Sequence, residues 1–186
     1  LLIAILFIPI LLMGIILAIK NPELLRKRLN AKEKETEQKG VVVQSVLMFI
    51  GGFVIAGLDY RFGWSALPKG AVFAATAVFL FSYLLYAEVL RENAYLSRTI
   101  EVQKNQKVVD TGLYGIVRHP MYAATILLFL SMPLVLGSLF SFIIFLIYPA
   151  IMVKRIKNEE EVLERELEGY SEYKSRVKYR LIPFVW

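Results

Sequence analysis

The chain has 186 residues, 57% hydrophobic and only 20% charged, with a mean hydropathy of +0.56 and a formal net charge of +6. A soluble domain carries about 45–50% apolar and about 25% charged residues; here the apolar excess is gathered into long uncharged runs, which excludes an ordinary soluble enzyme and a disordered chain. Without Cys, and with a single His, there is no disulfide framework, no thiolate nucleophile and no Cys-ligated or multi-His metal site.

Five apolar stretches follow in chain order, at about 1–19, 41–58, 70–87, 120–136 and 139–153. A membrane-crossing helix takes about 20 apolar residues, within a range of about 17–25. The first three satisfy this, and the short last one is expected to run on into the charged segment behind it. The first stretch lacks the basic n-region and small-residue cleavage site of a signal peptide, so it reads as a span. Gly137-Ser138 between the last two implies a tight hairpin of two helices. The expected fold is therefore all-α: a single polytopic membrane domain over 1–186, with five transmembrane helices and a cytoplasmic amphipathic C-terminal helix.

Charge orients the chain. Lys20, Arg26, Lys27, Arg28, Lys32, Lys34 and Lys39 fill the first connection, whereas the second has only Arg61 and Lys69. The third carries Arg91, Arg98, Lys104, Lys107 and Arg118, the fourth none, and the tail is again basic. Basic-rich and basic-poor segments alternate as the positive-inside rule requires. This puts the N-terminus outside and segments 93–119 and 154–186 in the cytoplasm. The net charge then answers to anionic lipid rather than nucleic acid.

Those two polar segments flank the hairpin, so they lie close together. The first ends in Gly112-Leu113-Tyr114-Gly115-Ile116-Val117-Arg118-His119-Pro120-Met121-Tyr122. Pro120 suits the first position of a helix, whose N-terminus beside Arg118 and His119 is a place for an anion. Taken singly, His119 and Arg118 are also ordinary interfacial side chains, and Tyr114 and Tyr122 ordinary belt aromatics. In the second segment, Ile156, Leu163, Leu167, Tyr170, Tyr173 and Val177 recur at helical spacing. Glu160 falls on this apolar stripe, where a carboxylate is costly unless it meets cations or donors. Arg155 and Glu159, four apart, share a neighbouring face. Neither a P-loop nor a GxGxxG fingerprint is present.

At these residues the sequence resembles the isoprenylcysteine carboxyl methyltransferase family in its compact prokaryotic form. The matching elements are Val108-Val109-x-x-Gly112-x-Tyr114, Arg118-His119-Pro120-x-Tyr122, Arg155-x-x-x-Glu159-Glu160, Tyr170-x-x-Tyr173 and Ile182-Pro183. They cover about 93–186, and Arg-His-Pro-x-Tyr followed by Glu-Glu across one hairpin is far more specific than either half. Two departures stand out: Ala124 where the family often has Gly, and a tail helix about one residue shorter before Tyr170.

The resemblance implies an integral-membrane enzyme that uses S-adenosyl-L-methionine on a lipophilic or lipidated acceptor. Cofactor contacts are expected from Gln103, Gln106, Lys107, Val108, Val109, Tyr114, His119, Pro120, Met121, Tyr122 and Glu159. Arg155 matches the position associated with the acceptor, where it holds a carboxylate. Arg155, Glu159 and Glu160 are the expected catalytic set, Glu160 being added on its stripe position alone. A phospholipid amine or a thiol remains open as the acceptor. An NADPH-dependent membrane reductase with a related helical core and a non-enzymatic membrane subunit are readings of another class.

Overall fold

In a computed structural model of the chain, residues 2–29 and 36–186 are described; Leu1, Lys32 and Lys34, counted above, lie outside them. The described residues form eight α-helices and no strand: α1 (Leu2–Lys20), α2 (Pro22–Leu29), α3 (Thr36–Phe62), α4 (Lys69–Glu92), α5 (Pro120–Val135), α6 (Leu139–Phe145), α7 (Ile147–Glu166) and α8 (Tyr170–Arg176). A 3-10 turn spans Gly112–Gly115. α5 packs along α4 and also against α3, α6 and α7, while α3 lies on α6 and α7 and α1 leans on α4.

The apolar surface is turned outward. Ile3, Phe7, Leu11 and Ile15 of α1, Leu47 and Ile50 of α3, and Phe73 and Leu84 of α4 are all exposed, a pattern that only a lipid solvent satisfies. The interior closes on Phe49, Phe129, Phe145 and Tyr148, whose rings meet edge to face at 4.8–5.4 Å. Close approach of α3 to α6 needs Gly52: a Cβ there would stand 2.3 Å from the Phe145 ring. The Ser141 hydroxyl donates to the Gly52 carbonyl at 2.9 Å across the same seam.

One expectation is met in part and one is corrected. Four helices are long and apolar enough to cross a membrane: Ile3–Lys20, Lys39–Phe62, Lys69–Glu92 and Leu139–Glu166. The fourth expected span is the 16-residue α5, shorter at about 24 Å than a hydrocarbon core of about 30 Å. Pro120 starts it late, and Gly137, at φ +80, stops the chain from continuing. Secondly, the tail is not one amphipathic helix. α7 carries the last span through Val153 to Glu166, and Gly169, at φ +81, turns the chain into the short α8. The apolar stripe nonetheless survives the break: Leu167, Tyr170, Tyr173 and Val177 pack together with Val102, Val108 and Leu163.

A break between α6 and α7 falls at Leu146. Pro149 explains it, because it has no N–H for the Phe145 carbonyl and its ring crowds that carbonyl. The short basic helix α2 was not anticipated. Asn21 caps it, its Oδ1 accepting from Leu24 N at 3.0 Å, with Pro22 at its first position.

Candidate active site

Four segments converge at one end of the bundle: the end of α4 with the loop after it, the 3-10 turn, the start of α5, and α7 with α8. Gly112 makes the turn possible. It sits at φ +50 with Glu92 packed so closely that a Cβ would collide with its carboxylate, which accepts from Leu113 N at 3.0 Å. The turn delivers Tyr114, buried, with its carbonyl accepting from Tyr173 Oη at 2.8 Å.

Before α5, the chain runs beside the tail: Arg118 N donates to Tyr179 O and His119 N to Arg180 O, both at 2.9 Å. Glu160 locks this pairing. Its Oε1 accepts from Arg118 Nε at 2.8 Å and lies 3.2 Å from His119 Nε2, and its Oε2 accepts from Arg180 Nε at 2.9 Å. Arg118 also donates to Val177 O at 2.6 Å. Arg118, His119 and Glu160 are all buried, so the carboxylate on the apolar stripe meets the cations and donors it needs. Burial alone would raise its pKa, but the bonds from His119 and Arg118 prevail and hold it at about 2. The anion beside Arg118 and His119 is thus the chain's own.

One turn along α7, Glu159 and Arg155 are joined through α5. Tyr122 Oη donates to Glu159 Oε2 at 2.6 Å and accepts from Arg155 Nε at 3.0 Å. The Tyr122 ring lies 5.7 Å from the His119 ring.

These elements enclose a cavity. Of the residues expected at the cofactor, Gln106, Lys107, Val108, Val109, Tyr114, His119, Met121, Tyr122 and Glu159 line it. Gln103, Pro120, Arg155 and Glu160 do not. Gln103 braces the wall, donating from Nε2 to Tyr95 O and from its backbone N to Gln106 Oε1. Pro120 is buried at the first position of α5, Arg155 stands behind Tyr122, and Glu160 is spent on the tail. Residues not anticipated at the cavity also line it: Asn93, Tyr95, Ser97, Thr99 and Glu101 from the loop after α4, and Tyr170 and Tyr173 from α8. In the sequence the two tyrosines stand on an apolar stripe and in the Tyr170-x-x-Tyr173 element of the resemblance, neither of which places them at the cofactor.

Tyr170 differs from its neighbours. Its hydroxyl is buried at the cavity with no hydrogen-bond partner among the described residues. Burial, and then the Glu160 and Glu159 carboxylates, push this phenol up, so it stays protonated. A buried, unpaired donor facing a cavity marks where a ligand's acceptor fits. The rest of the lining suits a ligand with an apolar ring system, amide-sized polar groups and a positive centre: Val108 and Val109, Gln106, and tyrosine faces beside Glu159. No group of three or more metal-ligating side chains exists among the described residues.

The chain is similar to known proteins in sequence and in fold. A segment of 91 residues is 32% identical to the Delta(14)-sterol reductase TM7SF2 of Mus musculus, covering 47% of this chain and 22% of that protein. In structure, the chain matches the eukaryotic intramembrane Ras methyltransferase ICMT (isoprenylcysteine carboxyl methyltransferase) with a TM-score of 0.69 at 17% identity. That match covers 95% of this chain and 64% of the other, and it establishes a shared fold. The model of the isoprenylcysteine carboxyl methyltransferase (ICMT) family matches residues 73–165, half of the chain. That stretch runs from α4 through the 3-10 turn and α5 into α7, and so contains Tyr122, Arg155 and Glu159; the chain belongs to the isoprenylcysteine carboxyl methyltransferase family.

Proposed function

We propose that the chain is a membrane methyltransferase that binds S-adenosyl-L-methionine in the cavity and methylates the carboxylate of a lipophilic acceptor. Residues 1–186 act as one domain, with the N-terminus outside and the cavity on the cytoplasmic face, as the alternation of basic connections argues. The observation that carries this reading is the Tyr122 hydroxyl shared by Glu159 and Arg155. It sets an anionic side chain on the cavity wall and a cationic one just behind it.

S-adenosyl-L-methionine, when bound, supplies an electrophilic methyl group on a sulfonium. Glu159 and the tyrosine faces would offset its positive charge, and Gln106, Val108, Val109 and the Tyr170 hydroxyl would hold the remainder. Arg155 would receive the acceptor carboxylate, its guanidinium fork matching two oxygens. No general base is required, because a carboxylate is already ionised at neutral pH. The chain's contribution is therefore alignment of the two partners and exclusion of water. Glu160 holds the wall in position and does not touch the reacting groups.

The sterol reductase match favours one other reading, an NADPH site. Among the described residues lining the cavity the basic ones are Lys107, Arg118 and His119, and the last two are held by Glu160, which leaves Lys107 alone on that wall for a 2′-phosphate.

Titration of the purified chain in detergent with S-adenosylmethionine, S-adenosylhomocysteine and NADPH decides between them. Binding of the first two and not the third is expected; the reverse would overturn the transferase reading. Glu159→Ala should weaken cofactor binding more than tenfold, and Arg155→Ala should lower turnover with a smaller loss of cofactor affinity, since hydrogen bonds to charged groups contribute about 1.5–3 kcal/mol. Wild-type behaviour of both variants would show that the site is misplaced.

A further inference from the structure

Arg28, on the amphipathic helix α2, lies 69 residues before the loop it touches. Its Nη1 donates to Ser97 O at 3.0 Å and reaches Met121 Sδ at 3.5 Å. Its Nη2 donates to Tyr86 Oη at 2.6 Å, and the guanidinium stands 5.8 Å from that ring. Ser97 and Met121 both line the cavity. Arg155, from α7, donates to the next carbonyl, Arg98 O. Two guanidiniums from opposite ends of the chain thus hold successive carbonyls of one loop, each backed by a tyrosine hydroxyl.

Their charges are balanced differently. Arg155 is linked through Tyr122 to Glu159, whereas Arg28 meets a carbonyl, a thioether and a phenol, and no carboxylate among the described residues. A half-buried guanidinium with no counter-ion among the described residues is costly, and neighbouring a second one raises that cost. A cation left in that condition beside a ligand cavity fits an anion that arrives with the ligand. The guanidinium fork, with donors on neutral oxygens that it can exchange, is the group suited to a carboxylate.

We propose that Arg28 is a second acceptor-binding guanidinium, which together with Arg155 receives the anionic head of the acceptor at the Ser97–Arg98 edge of the cavity. This rests on the transferase reading above and adds to it a second residue, Arg28, by which the site tells a carboxylate from its uncharged amide. The loop carbonyls of Ser97 and Arg98 stand where the carboxylate oxygens bind.

The test compares N-acetyl-S-farnesylcysteine with its carboxamide, which keeps the lipid and loses the charge. Both are titrated onto the full chain in detergent with S-adenosylhomocysteine bound. Wild type should prefer the carboxylate at least tenfold. Arg28→Gln should reduce that preference to threefold or less while S-adenosylhomocysteine affinity stays within twofold, and Arg28→Lys, which keeps charge without the fork, should fall between. Retention of the full preference in Arg28→Gln, or in Arg28→Lys should the first variant fail to fold, would overturn the role of Arg28 alone. Failure of the wild-type chain to bind S-adenosylhomocysteine would overturn the transferase reading itself. Binding of S-adenosylhomocysteine with equal affinity for the two prenyl compounds would overturn the carboxylate selection.

Discussion

The Tyr170 hydroxyl has a measurable consequence at the scale of one atom. Because no described group pairs with it, Tyr170→Phe removes nothing that the apo fold uses. Stability of the variant should stay within about 0.5 kcal/mol of wild type, while its cofactor dissociation constant rises about two- to tenfold, the worth of one neutral hydrogen bond. Thermal melting and titration of the same preparation separate the two; lost stability with unchanged binding would assign the hydroxyl to the fold. Gly112 makes the opposite prediction. At φ +50 with Glu92 against it, an alanine pays for a left-handed backbone, about 1–2 kcal/mol, and displaces the carboxylate from Leu113 N. Gly112→Ala should therefore melt earlier and bind cofactor more weakly, since Tyr114 rides on the same turn.

Between elements, the Glu160 knot ties α5, α7 and the segment 177–182 together. Its folded pKa of about 2 lies below the ordinary 4.5, so the linkage sign is that of a depressed carboxyl. The stabilisation is complete above about pH 4.5 and is lost as the pH falls towards 2. In a Trp64→Phe background, which leaves Trp186 as the sole indole, tail fluorescence should change across that window. Arg180 stacks over this indole at 5.1 Å, so loosening of the knot reaches the reporter directly. Glu160→Gln should remove the acid transition and cost about 3–5 kcal/mol, because it leaves buried Arg118 without its carboxylate. An acid transition unchanged by the substitution would locate the titration elsewhere.

The same elements show what the amino-acid sequence discloses. Apolar runs and the position of each charge locate α1, α3, α4 and the α6–α7 rod, because hydrocarbon length is a hard limit. Gln106 to Val109, Tyr114, His119, Met121, Tyr122 and Glu159 are legible as cavity residues through the family resemblance, which implies them position by position. Arg28 is not, since every basic residue beside a span reads alike as a topology signal. Tyr170 is hidden for a similar reason: its place on an apolar stripe says that it is buried and nothing about its hydroxyl. The separation of Glu159 from Glu160 also needs the fold, where one turns to the cavity and the other to Arg118, His119 and Arg180.

At the scale of the molecule, the two ends of the bundle are held by separate polar clusters. Opposite the cavity, Asp59 accepts from Ser65 N at 2.6 Å, from Ser65 Oγ at 2.7 Å and from the Ser138 hydroxyl. Ser65 Oγ in turn accepts from Leu139 N at 3.1 Å. This cluster joins the α3–α4 connection to the turn between α5 and α6. Asp59→Ala strands the buried Ser138 hydroxyl and two part-buried donors of Ser65, a buried one costing about 1–3 kcal/mol, so the variant should melt well below wild type. Yet it lies at the far end of the helices, and protein that remains folded should bind cofactor with unchanged affinity. A loss of affinity in the folded fraction would show that the two ends are coupled.

Pairing of residues 118–119 with 179–180 also sets an order of assembly. α4, the turn and α5 can be threaded into a membrane as soon as they are made, but Arg118 then lacks the Val177 and Tyr179 carbonyls and Glu160 lacks Arg180. A nascent chain still short of residue 180 has every side chain that lines the cavity and an unfinished wall. Loop closure over some 60 residues comes after insertion and sets when the site first exists. Ligand binding is therefore acquired only once residues 177–180 have been made and have closed on Arg118 and Glu160.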